Sequence, residues 1–149
     1  MSTAISLFSG AVLLLALAGL ARIDARTQRL PNIVTLPLML MGLVWAFGTQ
    51  PDTYPHLLGA ALGYGAFWAV EVAYRLVRGR DGLGRGDAKL LAAGGAWCGA
   101  AALPAIVLIG SVAALVRVWP RRNEPALRIA FGPYLALGIG AVWLVQRAL

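Results

Sequence analysis

The chain has 149 residues, of which 60% are apolar and only 13% charged, and its net charge is +7. Soluble domains carry about 25% charged residues, so the mean hydropathy of +0.76 excludes an ordinary soluble domain and predicts a single membrane domain over residues 1–149. The positive charge does not argue for nucleic acid as a partner, because Lys and Arg flank the apolar segments, where they orient a membrane protein and touch lipid headgroups.

The first segment, Ala4–Ala21, is an uncharged run of 18 residues. A secretory signal needs basic residues before its apolar run; here Arg22, Arg26 and Arg29 follow it instead. This predicts a retained first span with its N-terminus outside. Asp24 comes directly after this span. The second segment is Ile33–Phe47. The loop after it, Gly48–His56, holds Asp52 and no Lys or Arg. His56, the only histidine, has no carboxylate-histidine cluster around it in sequence and reads as a loop or interface residue. Leu57–Val77 is the third segment and contains Glu71.

Three alternating glycines, Gly82, Gly84 and Gly86, then lead into Asp87. The fourth segment, Leu90–Val116, has 27 uncharged residues, about 40 Å as one helix, which is long for one span and short for two. A break at Gly99–Pro104, with Pro104 suited to a first helical turn, predicts two helices, roughly Gly86–Gly99 and Leu103–Trp119. Cys98 lies in this stretch as the only cysteine, without a partner for a disulfide or a C-x-x-C metal pair, and reads as a small packing residue. The last segment is Ile129–Val145.

Charge placement chooses between five and six spans. With six, the inner loops hold Arg22, Arg26 and Arg29, then Arg75, Arg78, Arg80, Arg85 and Lys89, then Arg117, Arg121, Arg122 and Arg128, and only Arg147 falls outside. With five, the Arg117–Arg128 cluster is outside. The positive-inside rule favours six. The expected architecture is an all-α bundle of about six transmembrane helices. Gly59 and Gly63, and Gly95 and Gly99, stand four apart and predict close helix packing within one bundle rather than a dimer motif.

The six acids are Asp24, Asp52, Glu71, Asp81, Asp87 and Glu124. An ionisable group at membrane depth is costly and calls for a functional explanation. Asp24 ends the first span and Asp87 begins the fourth segment, so both fall at one depth under the cytoplasmic interface. Two such carboxylates share a proton, because like charges a few ångströms apart do not ionise together easily. One can take a proton from water while the other polarises a peptide carbonyl, in roles that belong to the coupled pair. Glycines beside Asp87 admit unusual backbone angles and let an extended chain approach. The competing structural reading is a flexible turn with Asp87 as a helix N-cap. Glu71 stands four residues before Arg75, a spacing that favours an ion pair.

Three blocks resemble one known family. They are Asp24-Ala25-Arg26-Thr27-Gln28-Arg29-Leu30-Pro31-Asn32, Gly84-Arg85-Gly86-Asp87-Ala88-Lys89-Leu90-Leu91 continuing through Gly95-Ala96-Trp97-Cys98-Gly99, and Phe131-Gly132-Pro133-Tyr134-Leu135. The chain resembles the membrane domain of bacterial type IV prepilin peptidases, intramembrane aspartic proteases of the Gly-x-Gly-Asp type. The resemblance implies that Asp24 and Asp87 are the catalytic pair. Gly84 and Gly86 would shape the loop, and Lys89 would act on Asp87 or on headgroups. Pro31 and Asn32 would start the second span.

The implied substrate is a prepilin or pseudopilin, cut after a glycine joining a short basic leader to a hydrophobic helix, at the cytoplasmic face of a bacterial inner membrane. Membrane lipids are the other expected contact. A basic leader must approach a basic face, and Glu71, Asp81 and anionic lipids would offset that. Longer members carry a cytoplasmic insertion with C-x-x-C pairs and methylate the new N-terminus. The stretch from Asp24 to Ile33 leaves no room for one, so the expectation is a short, peptidase-only form needing no metal and no organic cofactor. Two rival readings are a small proton-coupled transporter subunit and a non-catalytic scaffold of a pilus or secretion system. The first would put acids near mid-bilayer rather than at span ends; the intact aspartates speak against the second.

Overall fold

The computed structural model describes residues 2–79, 84–121, 123 and 129–148. Arg80, Asp81, Gly82, Arg122, Glu124 and Arg128, which entered the charge and glycine arguments above, lie outside the described residues. Within them, all regular structure is helical: α1 (Ser2–Thr27), α2 (Asn32–Thr49), α3 (Tyr54–Arg78), α4 (Arg85–Cys98), α5 (Leu103–Val118) and α6 (Gly132–Ala148), with 3₁₀ turns at Ala100–Ala102 and Trp119–Arg121. Four stretches are long and apolar enough to cross a membrane: Ala4–Thr27, Asn32–Thr49, Tyr54–Arg78 and Ala100–Arg121. The polarity is that of a membrane bundle. Leu15, Ile33, Val44, Leu76 and Val116 are exposed on the outside, while Asp24, Thr35, Glu71 and Asp87 are buried inside.

The long fourth segment breaks where expected. Gly99 takes φ +83°, a left-handed region that glycine enters without steric cost, and its N–H bonds back to Gly95 O. The chain then turns through Ala100–Ala102 and restarts with Pro104 in the first turn of α5. α4 has 14 residues, about 21 Å, against a hydrocarbon core of about 30 Å. Its surroundings explain why this suffices: Ala88 and every residue from Leu90 to Cys98 are buried, with α3, α2, α6 and α5 packed around the helix. A helix enclosed by protein need not match the lipid.

Close contacts give each helix its direction. A Cβ on Gly59 would stand 2.5 Å from Gly95 O, and one on Gly63 would stand 2.7 Å from Leu91 O, so α3 and α4 run antiparallel with backbones touching. Trp97, buried in α4, fits against Gly42 of α2 and donates its indole N–H to Leu38 O at 2.8 Å. A Cβ on Gly110 would stand 3.1 Å from Tyr134 O, which pairs α5 with α6. The glycine spacing therefore serves one bundle, as expected, with one refinement: Gly99 is a turn residue rather than a packing residue. Its Cβ would meet Pro55 only at 3.8 Å.

Cys98 and Pro31 sit as expected, whereas His56 lies in the first turn of α3 rather than in a loop. Cys98 is buried and free. His56 Nδ1 lies 2.9 Å from Ala96 O, which requires a proton on that nitrogen, and its ring meets Trp45 edge-on at 6.0 Å. Pro31 is the N-cap of α2. In this arrangement the C-terminal ends of α1, α3 and α5 lie with the N-terminal ends of α2, α4 and α6.

Candidate active site

Asp24 sits near the end of α1, 4% exposed. Its carboxylate is held from the far end of the sequence: Gly132 N–H donates to Asp24 Oδ2 at 3.0 Å. Gly132 is the first residue of α6. The first N–H groups of a helix have no intrahelical acceptor, so a helix start is a natural seat for a carboxylate. The fit leaves no space for a side chain, because a Cβ at Gly132 would stand 2.5 Å from Asp24 Oδ2 and 2.8 Å from its Cγ. Phe131 packs against Phe67 with ring centroids 6.3 Å apart and pins this helix start to α3. The third sequence block thus has a physical role that the sequence reading did not assign.

Asp87 is in the first turn of α4 and 8% exposed. The N-cap is Gly84, and no side chain caps this end. Asp87 donates its backbone N–H to Gly84 O at 3.0 Å, so the reading of Asp87 as an N-cap fails. Among the described residues, no group donates a hydrogen bond to its carboxylate. Asp24 and Asp87 face one open cleft of about 330 Å³, bordered by Gln28, Asn32, Gly84 and Lys89.

The two glycines before Asp87 differ. A Cβ on Gly86 would stand 2.8 Å from Leu30 Cβ, so Gly86 lets the start of α4 close against the α1–α2 connection. Gly84 has φ −73° and ψ 135°, angles open to any residue, and its Cβ would meet only Asp87 Oδ2, at 3.7 Å. The expectation that unusual backbone angles require glycine there is not met; what Gly84 leaves is open space beside the carboxylate. Lys89 donates to Asn32 Oδ1 at 2.6 Å and ties α4 to the first residue of α2.

Glu71 is buried and bonds Arg75 at 2.5 Å and Arg85 at 3.5 Å. The pairing expected from its spacing with Arg75 is present. The second partner, next to Gly86, commits Glu71 to joining α3 to the start of α4, so it does not stand open to a basic ligand. Sequence reasoning also passed over Gln28, which borders the cleft with φ +52°. This is the left-handed region, uncommon for a non-glycine residue and frequent near functional sites. Among the described residues, no three His, Cys, Asp or Glu side chains gather as a metal site would require.

Residues 11–118 match the type IV leader peptidase family. The prepilin leader peptidase/N-methyltransferase of Dickeya chrysanthemi is 46% identical over 138 residues, covering 87% of this chain and 47% of that protein. The protein of the same name from Xanthomonas campestris pv. campestris is 42% identical over 146 residues, covering 93% and 49%. That of Escherichia coli K12 is 47% identical over 127 residues, covering 80% and 55%. The chain spans about half the length of these relatives. No solved structure matches it significantly. On a family match through α1 to α5, and relatives alike over most of its length, the chain belongs to the type IV leader peptidase family.

Proposed function

We propose that residues 1–149 form one membrane peptidase domain, an intramembrane aspartic endopeptidase with Asp24 and Asp87 as its catalytic pair. Its substrate is a type IV prepilin or pseudopilin, whose basic leader it removes at the cytoplasmic face of a bacterial inner membrane. The observation that carries this reading is two buried carboxylates on one open cleft. In the reaction, the ionised carboxyl takes a proton from water, whose oxygen attacks the scissile carbonyl carbon. The protonated carboxyl gives its proton to the carbonyl oxygen. Collapse of the tetrahedral intermediate breaks the C–N bond: the nitrogen takes the proton now held by the first carboxyl, and a hydroxyl of the intermediate returns its proton to the second, which restores the pair. Gly84 and Gly86 support the cleft, and Lys89 supports it through Asn32. The proposal covers peptide cleavage alone.

The basic residues at the aspartate end, among them Arg22, Arg26, Arg75, Arg78, Arg117 and Arg121, support a cytoplasmic position for the cleft. The N-terminus is then outside and the six helices all span. Reporters fused after Asp52 and after Glu124 will fall on opposite sides; finding them on one side eliminates the six-span layout. Co-expression with a prepilin is the test of activity. Leader loss appears as a gel shift, and a prepilin that stays uncut beside the well-expressed chain contradicts the proposal.

Gly132→Ala tests how the pair is held. The added Cβ displaces the Asp24 carboxylate, and misplacing a reacting group by about 1 Å costs up to about a hundredfold. Cleavage will fall by at least about tenfold, while circular dichroism keeps its helical signal. Unchanged cleavage in this variant means that the Gly132 contact does not position Asp24.

A further inference from the structure

At the end of the bundle away from the aspartates, two cavities share a wall. One is polar, about 380 Å³, and bordered by Gln50, His56, Gln146 and Arg147. The other is an apolar cleft of about 290 Å³ between α1 and α2, bordered by Phe8, Val12, Leu40 and Val44. Trp45 and Trp97 line both.

Arg147 carries the charge at this end. Its guanidinium lies 4.4 Å from the centroid of the Trp45 ring and 5.2 Å from that of Trp143, and it donates to Ser6 Oγ at 3.3 Å. Among the described residues no carboxylate pairs with it, and every other described Lys and Arg lies at the opposite end. Trp45 is 8% exposed, and its indole N–H is buried without a hydrogen-bond partner among the described residues. A guanidinium at a cavity wall, with no carboxylate paired to it among the described residues, calls for an oxyanion, and it suits a phosphate. Among the described residues, the polar cavity has no carboxylate in its lining to hold a cationic headgroup. Gln50 and the carbonyl oxygen of Gln146, whose amide already donates to Cys98 O at 3.0 Å, suit hydroxyls instead. Val44, at the mouth of the apolar cleft, is 71% exposed, so the cleft opens toward lipid.

We propose that this end of the bundle binds one anionic glycerophospholipid, with its phosphodiester on Arg147 and an acyl chain in the cleft between α1 and α2. Binding is independent of the peptidase chemistry. The test uses the full chain, purified in detergent and delipidated, with native mass spectrometry as the readout. The probes are phosphatidylglycerol, phosphatidylcholine with the same acyl chains, and inorganic phosphate.

The wild-type chain will retain one phosphatidylglycerol, and phosphatidylcholine several-fold less. Arg147→Gln will weaken retention about tenfold, the size of a hydrogen bond to a charged group. Arg147→Lys, which keeps the charge, will retain most of it. Val44→Trp, an exposed change that fills the cleft, will also weaken retention. The proposal is overturned by unchanged retention in Arg147→Gln or in Val44→Trp, by equal loss in the Lys and Gln variants, or by equal retention of phosphatidylcholine. Displacement of the lipid by inorganic phosphate alone overturns it too, since that describes a site for a free anion.

Discussion

Asp24→Asn and Asp87→Asn will each reduce leader removal by about 10²-fold to 10⁴-fold, the range of a lost general acid or base, with the helical signal unchanged. An amide is nearly isosteric with a carboxylate but neither accepts a proton from water nor gives one to a carbonyl at neutral pH. Each substitution therefore removes half of a coupled reaction, and the double variant will be little worse than either single one. The measurement is the processed fraction of a co-expressed prepilin against time. Full processing by either variant refutes the assignment of the pair. Asp24→Asn carries a second consequence, because its amide can turn its carbonyl oxygen toward Gly132 N–H and keep the contact. The loss in that variant will come from chemistry rather than from unfolding.

Gly95→Leu will cost about 3 kcal/mol or more, the upper range for overpacking a filled interior. The Cβ of residue 95 would fall on the backbone of Gly59, and two backbones have no rotamer with which to yield. α3 would have to leave α4, taking with it the Glu71–Arg85 contact and the support of the cleft. Gly65→Ala is the matched control. Nothing lies within 4 Å of its added Cβ, so it will leave stability unchanged or raise it by about 0.4–1 kcal/mol. Denaturation in mixed detergent, followed by circular dichroism, compares the two. Equal midpoints for Gly95→Leu and the parent chain would mean that the α3–α4 contact does not hold the bundle.

Much of the architecture is legible in the sequence because lipid makes strong demands. Apolar run lengths mark the spans, and the break at Gly99–Pro104 is visible because the run is too long for one helix. The pairing of Asp24 with Asp87 is legible for a similar reason: two acids at the ends of apolar segments stand out against everything around them. What holds the acids in place is not legible in this way. The Gly132 contact joins residues 108 positions apart, and no local pattern at either residue announces it. Gly84 and Gly86 look equivalent in an alternating string, yet one is packed against Leu30 and the other faces open space. Lys89 reads as a charge for Asp87 or for lipid until the fold brings Asn32 to 2.6 Å. Glu71 shows its helical neighbour Arg75 by spacing, but Arg85 reaches it only through the packing of α4 on α3.

The bond between Gly132 and Asp24 also has a consequence for biosynthesis. The chain is made from its N-terminus, so both aspartates emerge well before residue 132. A nascent chain halted after α5 would hold both acids and most of the cleft, but the first acid would lack its backbone donor. The cleft would then be bordered by a carboxylate free to change rotamer. On the proposed reading, the geometry for cleavage arrives only with the insertion of the last helix. Incomplete translation products would accordingly be poor proteases, and the membrane would be spared stray cleavage by half-built copies.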